Sequence, residues 1–276
     1  MPMSYAEALE ESANQAKEKA RLVSAPWRYG ALSALAGAYV GIAVVLLASV
    51  AGPLAAATSP ATKLVQGAVF GIALTLVVFA GAELFTGNNM VMLIGWLRGG
   101  VSGSAALLVN FASLVGNFAG SVAFAALVHG SGVLGSHTPG KPAAGSGMIT
   151  TLVTNKMAAS DAQLFWRAVL CNMLVCLGLW MATRTRSDGA KLAVLFWVLL
   201  AFVASGFEHS VANMTIFSLA IFEGSAHWGD LGHNLLLTIP GNVVGGALVV
   251  GLPYALSARR SQPARATTAL PDAELE

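Results

Sequence analysis

Apolar residues along this chain run in blocks separated by short polar stretches. Each block approaches the roughly 20 residues that a helix needs to cross a bilayer. The blocks predict spans at 27–50, 64–82, 104–128, 164–181, 192–205 and 235–256. The second and fifth resume, after a polar interruption, in shorter apolar continuations at 90–97 and 211–222. Residues 4–23 read differently. There Ala6, Leu9, Ala13, Ala16, Ala20 and Val23 recur at steps of three and four and form one apolar stripe. Ser4 and Glu7 make a capping-box pattern. Glutamates lead the segment and Lys17, Lys19 and Arg21 close it, as a helix dipole favours. This predicts an amphipathic helix that either lies on the membrane surface or moves as a gate.

The pattern also repeats. Gly116-Asn117 in the third block answers Gly241-Asn242 in the sixth. Gly120 and Gly245 keep the same offset, as do Glu83 and Glu208. Two similar units of three spans must lie in opposite orientations, because three is odd, and inverted repeats place a site at their interface. The expected fold is therefore an all-α integral membrane protein of six transmembrane helices in two inverted three-helix repeats, with helices 2 and 5 broken. The expected organisation is a cytoplasmic amphipathic helix at 1–25, a transmembrane channel domain at 26–258 and a disordered tail at 259–276. Small residues such as Ala34, Gly37 and Gly41 predict close helix packing in lipid.

Composition agrees with a membrane solvent. Hydrophobic residues make up 56% of the 276 positions and charged ones 10%, against roughly 25% charged in soluble domains. Mean hydropathy is +0.70. The net charge of +2 is too small to argue for nucleic acid. Its distribution is informative: with the N-terminus inside, every Lys and Arg except Lys63, Lys141, Lys156 and Arg167 falls on inner segments. The positive-inside rule then puts both termini in the cytoplasm. The first 20 residues lack the apolar core of a signal peptide. Cys171 and Cys176 face different sides of one helix, so they read as packing residues and no disulfide is expected. No P-loop, nucleophile elbow or Cys/His metal spacing occurs, so neither a cofactor nor catalysis is expected. His129, His137, His227 and His233 fall in or beside outer loops and read as solvated or interfacial.

The candidate chemistry sits at the two interruptions, Gly81 to Asn89 and Gly206 to Ser210. Irregular backbone is tolerated at membrane depth only where protein or a watery cavity satisfies it. Broken helices also aim half-helix N-termini, with partial positive charge, at a midplane site. That environment suits an anion. His209 is the leading candidate, since an ionisable group inside a span is costly and marks function by default. It stands beside Glu208, one turn from Asn213, with Asn172 available from the fourth span. Thr86 can offer its hydroxyl opposite it, or serve as a helix cap. Asn172 is either interhelical glue or pore lining. Glu83 and Glu208 are expected to cap the free N–H groups of the half-helices. Phe70, Leu74, Leu84, Phe85 and Phe202 either pack or form dewetting constrictions.

At these breaks the sequence resembles the formate/nitrite transporter family. The segments that carry the resemblance are GAELFTGNN (81–89), ASGFEHSVANM (204–214), GHNLLLTIPGN (232–242) and AGAYVG (36–41). They are more similar to its nitrite branch than to its formate branch. The resemblance implies an aquaporin-like protomer, five protomers per ring in the bacterial inner membrane, and a pore through each for nitrite or another small monovalent anion. It implies His209 as the central pore histidine, Thr86 and Asn172 as its hydrogen-bonding neighbours, and Phe70, Leu74, Leu84, Phe85, Val175 and Phe202 as the constrictions. It further implies that Glu208 and Asn213 support the histidine and that Lys156 draws anions to the outer mouth. The competing expectations are a formate channel of the same fold, a neutral-solute channel, and a membrane scaffold that transports nothing.

Overall fold

The computed structural model describes residues 2–135 and 143–257, and every described element is a helix. The expectations for His137, Lys141 and the tail 259–276 lie outside the described residues. In chain order the helices are α1 (Tyr5–Leu22), α2 (Pro26–Ala56), α3 (Thr62–Gly81), α4 (Phe85–Leu97) and α5 (Gly103–Ser131). They continue as α6 (Ala144–Met157), α7 (Asp161–Thr183), α8 (Asp188–Ala204), α9 (Ser210–Phe222) and α10 (Trp228–Ser257). Helices α2, α3, α5, α7 and α10 are each long and apolar enough to cross a membrane. The fifth apolar block is divided between α8, with 17 residues, and the 13-residue α9.

Several helices begin earlier than hydropathy suggests, because polar caps extend them. Ser102, Ser160 and Ser187 each accept a backbone N–H from the first turn of α5, α7 and α8. The Ser4–Glu7 capping box forms as expected at α1. The hydrogen bond from the Ser4 backbone holds the Glu7 carboxyl below its usual range. Helix α1 buries Ala8, Leu9, Ser12, Ala13 and Ala16. It docks on α4, where a Cβ on Gly95 would strike Ala16. Its N-terminal end is tied to α7: Arg184 donates to the Met3 carbonyl and stacks over the Tyr5 ring at 4.3 Å.

Helix α6 was not among the expected elements. Its 14 residues are too few to span, and its apolar side is short: Met148, Ile149 and Val153 are buried. It sits at the end of α2, where Gly52 faces the Ala144 carbonyl. Two helices outside the five membrane-length ones thus precede the two repeats, α1 before α2 and α6 before α7.

The two repeats close on themselves through glycine. A Cβ on Gly120 of α5 would run into the Ala34 carbonyl of α2, and one on Gly245 of α10 into the Val169 carbonyl of α7. Without side chains between them, the backbones approach closely and gain dispersion contacts that lipid cannot replace. Gly120→Ala is therefore expected to destabilise the fold by about 3 kcal/mol, at the upper end of overpacking costs. Gly30→Ala, where a Cβ meets nothing within 4 Å, serves as the neutral control. Thermal unfolding of detergent-solubilised protein separates the two, and equal midpoints would contradict this account of the α2–α5 contact.

Candidate functional site: two helix breaks that meet

Each broken span turns at a glycine in the left-handed region, Gly81 at φ 79° and Gly206 at φ 75°. Both positions stand two residues ahead of the glutamate, and only glycine enters this region without a steric penalty. The chain then runs extended for a few residues before a new helix starts, at Phe85 for α4 and Ser210 for α9.

The two breaks are held by the same device. Asn117 of α5 donates to the carbonyls of Ser33 and Glu83 and accepts the N–H of Phe85, at 2.8, 2.8 and 2.9 Å. Asn242 of α10 donates to the carbonyls of Ala168 and Glu208 and accepts the N–H of Ser210, at 2.8, 3.0 and 2.9 Å. An amide side chain offers both donor and acceptor without charge, so one residue can satisfy a break on both its sides. This overturns the expectation that Glu83 and Glu208 cap the half-helices. A carboxylate could accept the amides but would repel the neighbouring carbonyls.

The glutamates instead face cations and amides. Lys19 of α1 reaches Glu83 at 2.8 Å, and Lys156 of α6 reaches Glu208 at 2.8 Å. Asn88 donates to Glu83 at 3.2 Å and Asn213 to Glu208 at 2.7 Å. Tyr29 joins the first cluster, and Asn234, accepting from Asn213 at 2.8 Å, joins the second. Asn213 therefore supports Glu208 rather than the histidine itself. Lys19, which the sequence marked only as a helix-end charge, proves to be the counterpart of Lys156.

His209 occupies the position that Leu84 holds in the first repeat, the N-cap of its half-helix. Its Nδ1 accepts the N–H of Ala212 at 3.1 Å. A neutral ring accepting at Nδ1 carries its proton on Nε2. That nitrogen lies 3.1 Å from the Thr86 hydroxyl, on the first turn of the opposite half-helix. The two half-helix N-termini consequently meet at Thr86 and His209, both at most 4% exposed. Asn172 does not join the histidine. It donates to the Thr86 carbonyl at 3.1 Å and to the Asn242 carbonyl at 2.6 Å, and so acts as glue between the repeats. Cys176 also points at the Thr86 carbonyl, at 3.4 Å, and both cysteines are free. His233, expected to be solvated, lies 3.1 Å from Asp161 while remaining exposed.

Two cavities approach this meeting point from opposite ends. The first, about 940 Å³, is lined by Lys19, Val77, Glu83, Leu84, Gly87 and Leu179 among others. The second, about 620 Å³, is lined by Phe70, Lys156, Arg167, Phe202, Glu208 and His209 among others. Thr86, Leu74 and Val175 line neither cavity. Along α3, Leu74 falls between Phe70 of the second cavity and Val77 of the first; along α7, Val175 falls between Arg167 and Leu179. Phe70 and Phe202 meet edge to face at 5.7 Å, and Phe202 stacks on His209 at 5.9 Å. Phe70, Leu74, Leu84, Phe85, Val175 and Phe202 all belong to one buried apolar cluster.

Apolar spans arranged as inverted repeats, with two cavities approaching a polar neck from opposite ends inside an apolar collar, define a channel-type membrane protein. The formate/nitrite transporter family model matches residues 6–256. The nitrite transporter NirC of Salmonella typhimurium is 39% identical over 277 residues, covering 98% of both chains. A solved FNT family ion channel superposes with a TM-score of 0.84 at 38% identity, covering 92% of this chain and all of that one. A pentameric formate channel solved with formate bound gives 0.68 at 26% identity, covering 84% and 96%. The chain belongs to the formate/nitrite transporter family.

Proposed function

We propose that this protein conducts nitrite, and small monovalent anions like it, across the bacterial inner membrane through a path in each protomer of a homopentamer. The observation that carries this reading is the 3.1 Å contact between Thr86 and His209, where two half-helix N-termini converge between two cavities. Similarity to a nitrite transporter along almost the whole chain supports nitrite, and likeness to a pentameric formate channel supports the ring. In this reading residues 1–25 lie on the cytoplasmic side, residues 26–258 form the channel domain and the tail 259–276 is cytoplasmic. The first cavity is then the inner vestibule and the second the outer one.

A lone anion crossing an apolar collar loses its hydration, at a cost that only replacement hydrogen bonds can offset. The neck supplies them. The amides of Thr86 and Gly87 have no partner among the described residues, and the dipoles of α4 and α9 add partial positive charge. His209 adds the Nε2 proton and Thr86 a hydroxyl. Phe70, Leu74, Leu84, Phe85, Val175 and Phe202 serve as the collar that strips water from cations and anions alike. Lys156, Glu208, Asn213 and Asn172 act as supports, holding the breaks in place. Stabilisation by hydrogen bonding keeps the Ala212 N–H···Nδ1 bond intact. Donation of a proton from the ring to the anion would require Nδ1 to be protonated as well, breaking that bond.

A formate channel is the second reading, favoured by the formate-bound neighbour. Uptake of nitrite and formate into proteoliposomes, measured side by side, discriminates. Nitrite flux exceeding formate flux is expected. The reverse order assigns the chain to formate, and no flux of either by folded protein removes the channel reading altogether.

A further inference from the structure

The repeats are so alike that their differences stand out. Glu83 donates its backbone N–H to the Leu32 carbonyl, and Glu208 donates its own to the Arg167 carbonyl, both at 3.2 Å. Leu32 and Arg167 are therefore equivalent positions, each one residue ahead of the carbonyl that binds the break-holding asparagine, and each lines the cavity on its own side. One cavity has a leucine where the other has a guanidinium. Lys156, the cation expected to attract anions, has its charge matched by Glu208 at 2.8 Å. Arg167 is half-buried, and among the described residues no carboxylate lies within salt-bridge distance of it.

We propose that Arg167, rather than Lys156, is the residue that captures the anion in the second cavity and presents it to His209. An ion pair already closed to 2.8 Å has little field left for a third charge. An unmatched guanidinium at a cavity wall keeps its field, is weakly hydrated, and presents a planar fork that matches the two oxygens of a carboxylate or nitrite ion. The partner chemistry is thus a planar two-oxygen monoanion. The inference rests on the anion-channel reading and assigns the capture step within it.

Nitrite uptake into proteoliposomes over a range of nitrite concentrations tests it, at ionic strengths of about 0.01 M and about 1 M, where charges are screened over roughly 30 Å and 3 Å. At low ionic strength Arg167→Gln is expected to raise the half-saturating concentration about five-fold while leaving maximal flux nearly unchanged. At high ionic strength the difference should vanish. Arg167→Lys should recover only part of the affinity, because the charge stays while the planar fork is lost. An unchanged half-saturation in Arg167→Gln overturns the proposal, as does a loss confined to maximal flux, which would mark a packing role. Absence of flux in the unmodified protein overturns the channel reading and the proposal with it, so the two failures are distinguishable.

Discussion

Nitrite flux through His209→Leu is expected to fall about 10- to 100-fold, the equivalent of one lost hydrogen bond to a charged group. The substitution makes the second break copy the first, where Leu84 already stands at the N-cap. It removes the Nε2 donor facing Thr86 and also uncaps the Ala212 amide, 3.1 Å from Nδ1. His209→Asn separates these losses. Its amide oxygen can still accept from the helix, since Asn is among the best N-caps, while its shorter side chain leaves Thr86. Flux in the Asn variant should lie between the wild type and the Leu variant. Proteoliposome uptake reads both, and wild-type flux in His209→Leu would take the histidine out of the conduction path.

The second large effect is on the fold. Asn117→Leu or Asn242→Leu should each cost about 3–9 kcal/mol, because three buried backbone groups lose their only described side-chain partner, at about 1–3 kcal/mol per group. Both asparagines are fully buried, so water cannot step in. Aspartate does not repair the loss: it keeps the acceptor for Phe85 or Ser210 but sets a negative oxygen against two carbonyls. A marked drop in thermal midpoint in detergent, for Leu and Asp variants alike, is the expected outcome. A midpoint within a degree of wild type would show that the breaks are held by something other than these amides.

The spans were legible because each buries its backbone internally and must be apolar for its full length, so hydropathy alone finds them. The repeat was legible through Gly116-Asn117 and Gly241-Asn242, and the breaks through the polar residues that interrupt apolar runs. The residues at the breaks, including His209 and Thr86, stood out because polar groups are rare inside such segments. Helix α6 left a weaker trace. A helix of 14 residues with few buried apolar positions carries little periodic signal, and its lysine at 156 was expected only to draw anions to the outer mouth.

Sequence by itself thus determined the class of solvent, the number of repeats and the places where the chain must leave helical geometry. It could not assign partners among the polar residues. Glu83, Glu208, Asn117, Asn172 and Asn242 are all amide or carboxylate groups in apolar surroundings, and each could cap a helix in isolation. Only the tertiary arrangement decided that Asn117 and Asn242 hold the breaks, that the glutamates pair with Lys19 and Lys156, and that Asn172 binds Thr86 rather than His209. The physical reason is that hydropathy reports the cost of burying a group, which depends on the residue alone. The hydrogen bond that offsets this cost depends on which helix is brought alongside.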